Sequence, residues 1–259
     1  MVTDYGKIRA LNWSSLKNVA TSLRLYKWRT EHPRPETAAL ALGTAIHMRV
    51  LEPDRYAQEY AHQPPGLKLS TKEGKTWRVE QGGRTIIKAD KAAVVEACAQ
   101  SLADHGLAAD LLALGRTEQT IRWKIDDVAC KGRVDAVSRD HLIDLKTARS
   151  LEFFTQDSAR HLYHAQLAWY RDGAVAAGML DEDAEVSLIA VETSEPHDCA
   201  VYRLPTWVLE VGRKIYRRCL ADLRVAEHTG YYPGRHPGIV DLDLPRWADP
   251  FATDYEEEL

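Results

Sequence analysis

The sequence has no long hydrophobic run. A membrane-spanning helix needs about 18 or more consecutive apolar residues, and no stretch of this chain approaches that length. The first residues, MVTDYGKIRA, contain no apolar core of the kind that a signal peptide carries. We therefore expect a soluble cytoplasmic protein with no membrane partner.

Cysteine is scarce, and its spacing is irregular. The chain has four cysteines and no CxxC pair. This pattern argues against a disulfide scaffold and against a zinc ribbon, whose paired ligands lie about two to four residues apart. We expect buried, reduced thiols at Cys98, Cys130, Cys199 and Cys219.

Neither sign of charge is in large excess. The chain carries 34 basic and 38 acidic side chains, a net charge of −4, so the total charge does not indicate a nucleic-acid partner. The terminal DYEEEL supplies four of the acidic groups, and local charge distribution matters more than the sum. With 45% hydrophobic residues, the 259-residue chain can form one domain with a substantial core.

Apolar spacing typical of helices dominates the N-terminal part of the chain. Ser14 is a candidate N-cap for the first helix. Between the third and fourth helices, residues 62–89 combine proline, glycine and charged side chains with little periodicity, which indicates an exposed basic loop. The predicted helices cover residues 10–31, 36–51, 54–61 and 90–113.

The hydrophobic period changes to two over residues 117–148, which predicts a meander of three antiparallel strands. A helix at 154–177, strands at 184–193 and 199–204, and a helix at 206–228 are predicted to follow. The fold class is α/β (α+β), a central mixed sheet whose meander is flanked by helices. We expect a single domain over 1–259 with N-terminal helices (1–61), the basic loop (62–89), a core (90–228) and an extended C-terminal segment (229–259).

The segment KGRVDAVSRDHLIDLKTA carries the chemistry. Alternate side chains of a strand share a face, so Asp144 and Lys146 point the same way while Leu145 points into the core. Asp135 lies on the preceding strand, within reach of the same cavity. Two carboxylates, with the backbone carbonyl of Leu145 as a further candidate ligand, suit Mg²⁺ or Mn²⁺, and the lysine can offset negative charge on a phosphate.

An Asp-x-Lys pair on a strand is more often an exposed salt bridge than a catalytic pair. Here the flanking residues are aliphatic, in LIDLK and again in GRVDAV. Burying two carboxylates on adjacent strands without a cation is costly. The apolar flanks therefore favour a metal site.

Several segments resemble the RecB-like and exonuclease VIII-like branch of the PD-(D/E)XK nuclease superfamily. The similarity covers residues 10–220, in the order of that family, and implies a restriction-endonuclease-like fold. Val134 stands where the superfamily's name has proline, a departure that this branch tolerates. The matching segments are GRVDAV with LIDLKTA, the upstream GTAIHMRVLEP, the basic KLSTKEGKTWR, the downstream helix HAQLAWY, and LIAVETSEPH with AVYRL.

The resemblance implies a role for each matching residue. His47, Asp135 and Asp144 would bind metal, and Lys146 would be the catalytic lysine. Gln166 and Tyr170, four residues apart on one helix face, would support the site or touch DNA. Glu118 would be an additional acidic catalytic residue. The basic loop would contact DNA phosphates through Lys68, Lys72, Lys75 and Arg78.

Each of these roles has a structural alternative. His47 could be a core histidine, and Glu118 a glutamate at the surface end of a strand. Gln166 and Tyr170 could form the polar seam of an amphipathic helix, and the basic loop could be a solvated linker. The residue patterns alone leave these alternatives open.

The function that the resemblance implies is a Mg²⁺- or Mn²⁺-dependent exonuclease acting 5′ to 3′ on double-stranded DNA ends. It further implies a ring-shaped homo-oligomer, a single-strand annealing protein as partner, and a phage or prophage origin. The iron–sulfur branch of the superfamily needs four cysteine ligands with a C-terminal cluster, so we expect no Fe–S cluster. The alternatives are an endonuclease of the same superfamily and a non-catalytic DNA-binding module.

Overall fold

The structure is a computed structural model that describes residues 5–245 and Ala248. The acidic DYEEEL end, and with it part of the predicted C-terminal segment, lies outside the described residues. A short 3-10 turn, Tyr5–Lys7, comes first. The helices are α1 (Trp13–Leu16), α2 (Leu23–Glu31), α3 (Ala38–Leu51), α4 (Pro53–Glu59), α5 (Lys72–Glu80), α6 (Ala89–Asp104), α7 (Gly106–Leu114), α8 (Phe154–Arg160), α9 (Tyr163–Ala176) and α10 (Thr206–Thr229).

Within residues 5–245, seven strands form two sheets. The small sheet pairs β1 (Tyr60–His62) in parallel with β2 (Thr85–Ile87). The large sheet has the strand order β3-β4-β5-β6-β7, in which only the β5–β6 pair is parallel. Helices α8 and α9 form the crossover between these two strands. The strands of the large sheet are β3 (Arg116–Ile125), β4 (Val128–Val137), β5 (His141–Ala148), β6 (Glu185–Glu192) and β7 (Cys199–Arg203).

The large sheet lies between two helical layers, because both of its faces are apolar. In β6, Leu188 and Ala190 pack into the core that holds Trp169 of α9. The alternate residues Ile189 and Val191 pack into a second core on the opposite face, with α3 and α6. The predicted mixed α/β sheet flanked by helices is therefore confirmed.

Three predicted helices, at 10–31, 90–113 and 154–177, are interrupted in the structure. The predicted 90–113 helix is divided into α6 and α7, with His105 between them. Residues 10–31 form two helices, and Asn12 rather than Ser14 caps α1, accepting a hydrogen bond from the Ser15 amide. Ser22 caps α2 in the same way. A helical periodicity continues across such a break because the side chains on both sides still face the core. The predicted 154–177 helix is likewise interrupted at Leu162, whose φ is 57°.

The prediction of a loop over residues 62–89 was wrong. The segment contains α5 and ends in β2. Thr71 caps α5, accepting a hydrogen bond from the Gly74 amide. Gly74 is the one buried residue of this helix. It packs so closely against the backbone of Lys68 that a Cβ at this position would lie 2.1 Å from the Lys68 carbonyl oxygen. A helix that buries a single glycine has no apolar stripe, and so no helical periodicity for the sequence to reveal.

All four cysteines are buried free thiols, as expected. Among the described residues, no helix combines the length and apolar character required to cross a bilayer. After α10, residues 230–245 form no regular element.

Candidate active site

The large sheet opens between β4 and β5. Backbone pairing between these strands comprises Ala136 with Ile143 and Val137 with Leu142. At the next position, the Asp135 carboxylate accepts a hydrogen bond from the Leu145 amide at 2.7 Å. A side chain thus satisfies an amide that the opening would otherwise leave without a partner. The opening provides room for several side chains between the two strands.

A cleft of about 590 Å³ lies at this opening. It is lined by residues from α3, β3, β4, β5 and α9. The structure brings together in this one cleft all seven side chains that the sequence singled out for catalysis or metal binding: His47, Glu118, Asp135, Asp144, Lys146, Gln166 and Tyr170.

Three of these side chains form a compact donor group. His47, Glu118 and Asp135 each offer one ligand atom, and the three atoms lie within 4.8 Å of one another. His47 Nδ1 is 3.7 Å from Asp135 Oδ2. Within the part of the chain that the structure describes, this is the group of histidine, cysteine and acidic side chains that could hold a metal ion.

Local backbone geometry positions the three donors. The register that pairs Thr117 with Ala136 and Gln119 with Val134 sets Glu118 opposite Asp135. Glu118 has a φ of 52°, which a non-glycine residue rarely adopts. His47 is one helical turn after Gly43, where a Cβ would lie 3.1 Å from Thr147 Oγ1 of β5. The small residues of α3 therefore let this helix approach the sheet closely enough to deliver His47.

Asp144 and Lys146 form a second unit beside the donor group. Lys146 Nζ contacts Asp144 Oδ2, and Asp144 is 2% exposed. The amide nitrogen of Gln166 lies 3.5 Å from Asp144 Oδ1 and donates to the Tyr170 hydroxyl at 3.2 Å. The Lys146 ammonium is 5.0 Å from the centre of the Tyr163 ring.

The pKa values show how burial acts on the site. Burial raises the pKa of Glu118 to about 7 and that of Asp144 to about 6, and it also raises the pKa of Asp135. Burial, with the nearby Lys146 charge, lowers the pKa of His47 to about 4. For Lys146 itself, burial lowers the pKa, but the carboxylates of Asp144 and Asp135 outweigh burial and raise it above its usual value.

The site fits a hard divalent cation. Glu118 Oε2 and Asp144 Oδ2 are buried and accept no hydrogen bond of normal geometry, although Arg133 Nε lies 2.7 Å from Glu118 Oε2 and Lys146 lies against Asp144. A histidine with a pKa of about 4 is neutral at pH 7 and keeps a lone pair free. Carboxylate oxygens and one imidazole suit Mg²⁺ or Mn²⁺.

The donor group differs in one member from the set that the resemblance implied. Glu118 belongs to the compact group, whereas Asp144 lies next to it and is held by Lys146. The Leu145 backbone is also at the site, where a hydrogen bond with His47 acts to raise the histidine pKa.

Among the other residues that line the cleft, Arg133 and Tyr163 contact the site's charged side chains and were not predicted. Arg133 lines the cleft, and its position two residues before Asp135 on the same strand was a signal that it shares that side chain's face. Tyr163 precedes Gln166 by three residues on α9, and this helical spacing places both on one face.

The basic residues of the 62–89 segment are not part of the cleft. Lys68 lies just before α5, and the other three lie on that helix. All four are exposed, and none lines the cleft: Lys68, Lys72, Lys75 and Arg78. Their predicted contact with DNA remains a prediction.

Comparison with known protein families assigns this chain to one of them. The family model described as "PDDEXK-like domain of unknown function (DUF3799)" matches residues 14–239, which include all seven predicted site residues. The chain belongs to this PDDEXK-like family. The predicted PD-(D/E)XK assignment is thus confirmed, and it supports a nuclease with DNA as its substrate.

A solved structure has the same fold as this PDDEXK-like domain. It is the crystal structure of a protein from Eubacterium rectale that is provisionally assigned as an exonuclease, and it superposes with a TM-score of 0.61. The two chains are 12% identical, and the match covers 91% of each. No curated protein matches the chain significantly.

Proposed function

We propose that this PDDEXK-like domain is a divalent-metal-dependent deoxyribonuclease. The observation that carries the proposal is the meeting, in one cleft, of the His47–Glu118–Asp135 donor group with the Asp144–Lys146 pair. Buried carboxylates with raised pKa values are costly unless a cation accompanies them. One lysine and one arginine contact two of the carboxylates.

The donor group would hold Mg²⁺ or Mn²⁺, with Asp144 and the Leu145 carbonyl beside it. Such an ion supplies positive charge at the scissile phosphate and increases the acidity of water. His47 contributes a neutral nitrogen donor, because its low pKa keeps the ring unprotonated at pH 7. Asp135 also orders the site, because the Leu145 amide fixes one of its oxygens.

Lys146 acts through its charge. Its raised pKa keeps the amine protonated at neutral pH, and a protonated amine is a positive charge and a hydrogen-bond donor. The ammonium group donates hydrogen bonds to the phosphate and stabilises the negative charge that develops there. Asp144 and the Tyr163 ring hold it in place, and Gln166 approaches Asp144 from the other side.

The finer assignment is an exonuclease that degrades double-stranded DNA from its ends, in the 5′ to 3′ direction, during recombination or phage DNA processing. Its supports are the sequence resemblance described above and the exonuclease assignment of the similar structure. A ring-shaped homo-oligomer, an annealing protein as partner and a phage or prophage origin are proposals that rest on the resemblance alone.

The test uses purified protein with end-labelled linear duplex and closed-circular duplex, in Mg²⁺ or in EDTA. We expect degradation of the linear form that requires Mg²⁺ and leaves circles intact. Lys146→Ala and Asp144→Asn should each reduce the rate by at least about 100-fold. The matched control is Lys124→Ala, an exposed lysine on β3 that does not line the cleft, and it should cleave at the wild-type rate.

Each other result points to a different protein. Digestion of circles would identify an endonuclease. Absence of cleavage on linear and circular DNA, with DNA binding retained, would identify a non-catalytic binding module. Full activity in EDTA would overturn the metal-dependent mechanism.

A further inference from the structure

Arg133 occupies a position between the donor group and the solvent. Its Nε lies 2.7 Å from Glu118 Oε2. The arginine side chain is 48% exposed, whereas the glutamate side chain is 14% exposed. The guanidinium of this half-exposed side chain is therefore accessible from the cleft, which Arg133 lines.

The charge of Arg133 extends over the whole donor group. It acts to lower the pKa of His47, Glu118 and Asp135, the three side chains whose ligand atoms converge. A fixed positive charge at this position also repels an incoming divalent cation. Arg133 and a metal ion therefore satisfy the same need, a counter-charge for Glu118, and each weakens the binding of the other.

We propose that Arg133 and the metal ion are alternative partners of Glu118. In the metal-free protein, the guanidinium neutralises the carboxylate. When the ion takes the carboxylate, Arg133 turns to a phosphate of the bound DNA strand. The inference rests on the proposed function, because it assigns a phosphate-contacting residue to the same site.

The surroundings of Arg133 allow this exchange. Its side chain is half exposed at the cleft wall, so it can change partner without crossing a packed core. The guanidinium is 5.7 Å from the centre of the Tyr5 ring, which also lines the cleft. A planar fork of N–H donors matches two oxygens of a phosphate as well as it matches a carboxylate.

The first measurement is the affinity for Mn²⁺ without DNA. The electron paramagnetic resonance signal of the free ion serves as the readout. Arg133→Gln should bind Mn²⁺ more tightly than wild type, by roughly three- to tenfold, because a repelling charge is gone. Arg122→Gln, which removes an exposed arginine of β3 outside the cleft, should bind as wild type does. Unchanged or weaker binding by Arg133→Gln would overturn the proposal, since a residue that only props Glu118 in place would give that result.

The second measurement is cleavage of linear duplex at several salt concentrations. Arg133→Gln should raise KM roughly tenfold or more, with a smaller effect on kcat, because a charged contact to the phosphate is lost. The slope of log KM against log salt should fall by about one. Arg133→Lys should recover part of the KM. An unchanged salt slope in Arg133→Gln would exclude the phosphate contact.

The two levels of inference fail separately. If wild-type protein binds no Mn²⁺ and cleaves no DNA, the nuclease proposal fails. If wild-type protein does both and Arg133→Gln matches it in Mn²⁺ affinity and salt slope, only the role of Arg133 fails.

Discussion

At the scale of single residues, burial favours the uncharged form of each titratable group at the site, so it raises the pKa of the acids and lowers that of the histidine. Glu118 and Asp144 have pKa values of about 7 and about 6, above those of exposed carboxyl groups, because burial disfavours their charge. His47 has a pKa of about 4 for the same reason, with the opposite sign for a base. Without a metal ion, burial therefore favours protonated carboxyl groups, whereas metal binding requires the same groups to be ionised.

The raised pKa of Glu118 makes the free energy of unfolding depend on pH, and one variant isolates this effect. The pKa of Glu118 is 4.5 in the unfolded chain and about 7 in the folded protein. Between these values the folded state holds a proton that the unfolded state has released, so this group lowers the free energy of unfolding as pH rises from 4.5 to 7, and the loss persists above 7.

Glu118→Gln removes this contribution. In EDTA, its free energy of unfolding relative to wild type should increase with pH, by up to about 3 kcal/mol between pH 5 and pH 8. Urea titrations of both proteins at each pH measure the difference, and the His47 contribution is common to both. A difference that does not change with pH would show that Glu118 titrates normally.

At the scale of secondary-structure elements, the approach of α3 to β5 positions His47. The contact depends on Gly43, where even a Cβ would lie 3.1 Å from Thr147 Oγ1. We expect Gly43→Leu to push α3 away from β5 and so carry His47 away from Asp135. The rate of DNA cleavage and the affinity for Mn²⁺ should each fall at least about tenfold.

Smaller and more distant changes serve as controls for Gly43→Leu. Gly43→Ala should be nearly neutral for stability, because the helix propensity gained, about 1 kcal/mol, offsets a slight crowding. Ala38→Leu, at the exposed first turn of the same helix, should keep wild-type activity. Equal loss of activity in Ala38→Leu and Gly43→Leu would contradict the close-approach argument.

The elements also show what sequence alone could predict. The meander was predicted over 117–148 and is observed over 116–148, because a period of two is visible within each strand. The helix α5 was missed because it buries only Gly74 and so has no apolar stripe. The membership of Glu118 in the donor group depends on the β3–β4 register and a positive φ, and neither can be read from local spacing.

At the scale of the whole molecule, α9 is anchored from behind by α10. Arg213 donates two hydrogen bonds of 2.7 Å to the two carboxylate oxygens of Asp172, and the Tyr216 hydroxyl donates a third. These bonds outweigh burial and lower the pKa of Asp172. Since α9 also carries Gln166 and Tyr170, the anchor sets how this helix faces the cleft.

Asp172→Asn should reduce the free energy of unfolding by about 2–4 kcal/mol, because it leaves Arg213 partly buried without its charge partner. The wild-type contribution is present above pH 3.8 and is lost as pH falls through the lowered folded pKa. The control is Asp181→Asn, which breaks an exposed pair with Arg139 and should cost less than about 1 kcal/mol. Urea unfolding at pH 7 compares them, and equal losses would argue against the anchor.

The Asp135 carboxylate accepts a hydrogen bond from the Leu145 amide where β4 and β5 separate, and it is also a proposed metal ligand. One pair of substitutions distinguishes these two roles. Asp135→Asn keeps an acceptor for the amide and should unfold within about 1 kcal/mol of wild type while losing Mn²⁺ affinity. Asp135→Ala strands a buried N–H and should lose about 1–3 kcal/mol as well. Loss of activity in the alanine variant could therefore result from the destabilised fold as well as from the lost metal ligand. Loss of activity in the asparagine variant, whose fold stays stable, would indicate that Asp135 binds the metal ion.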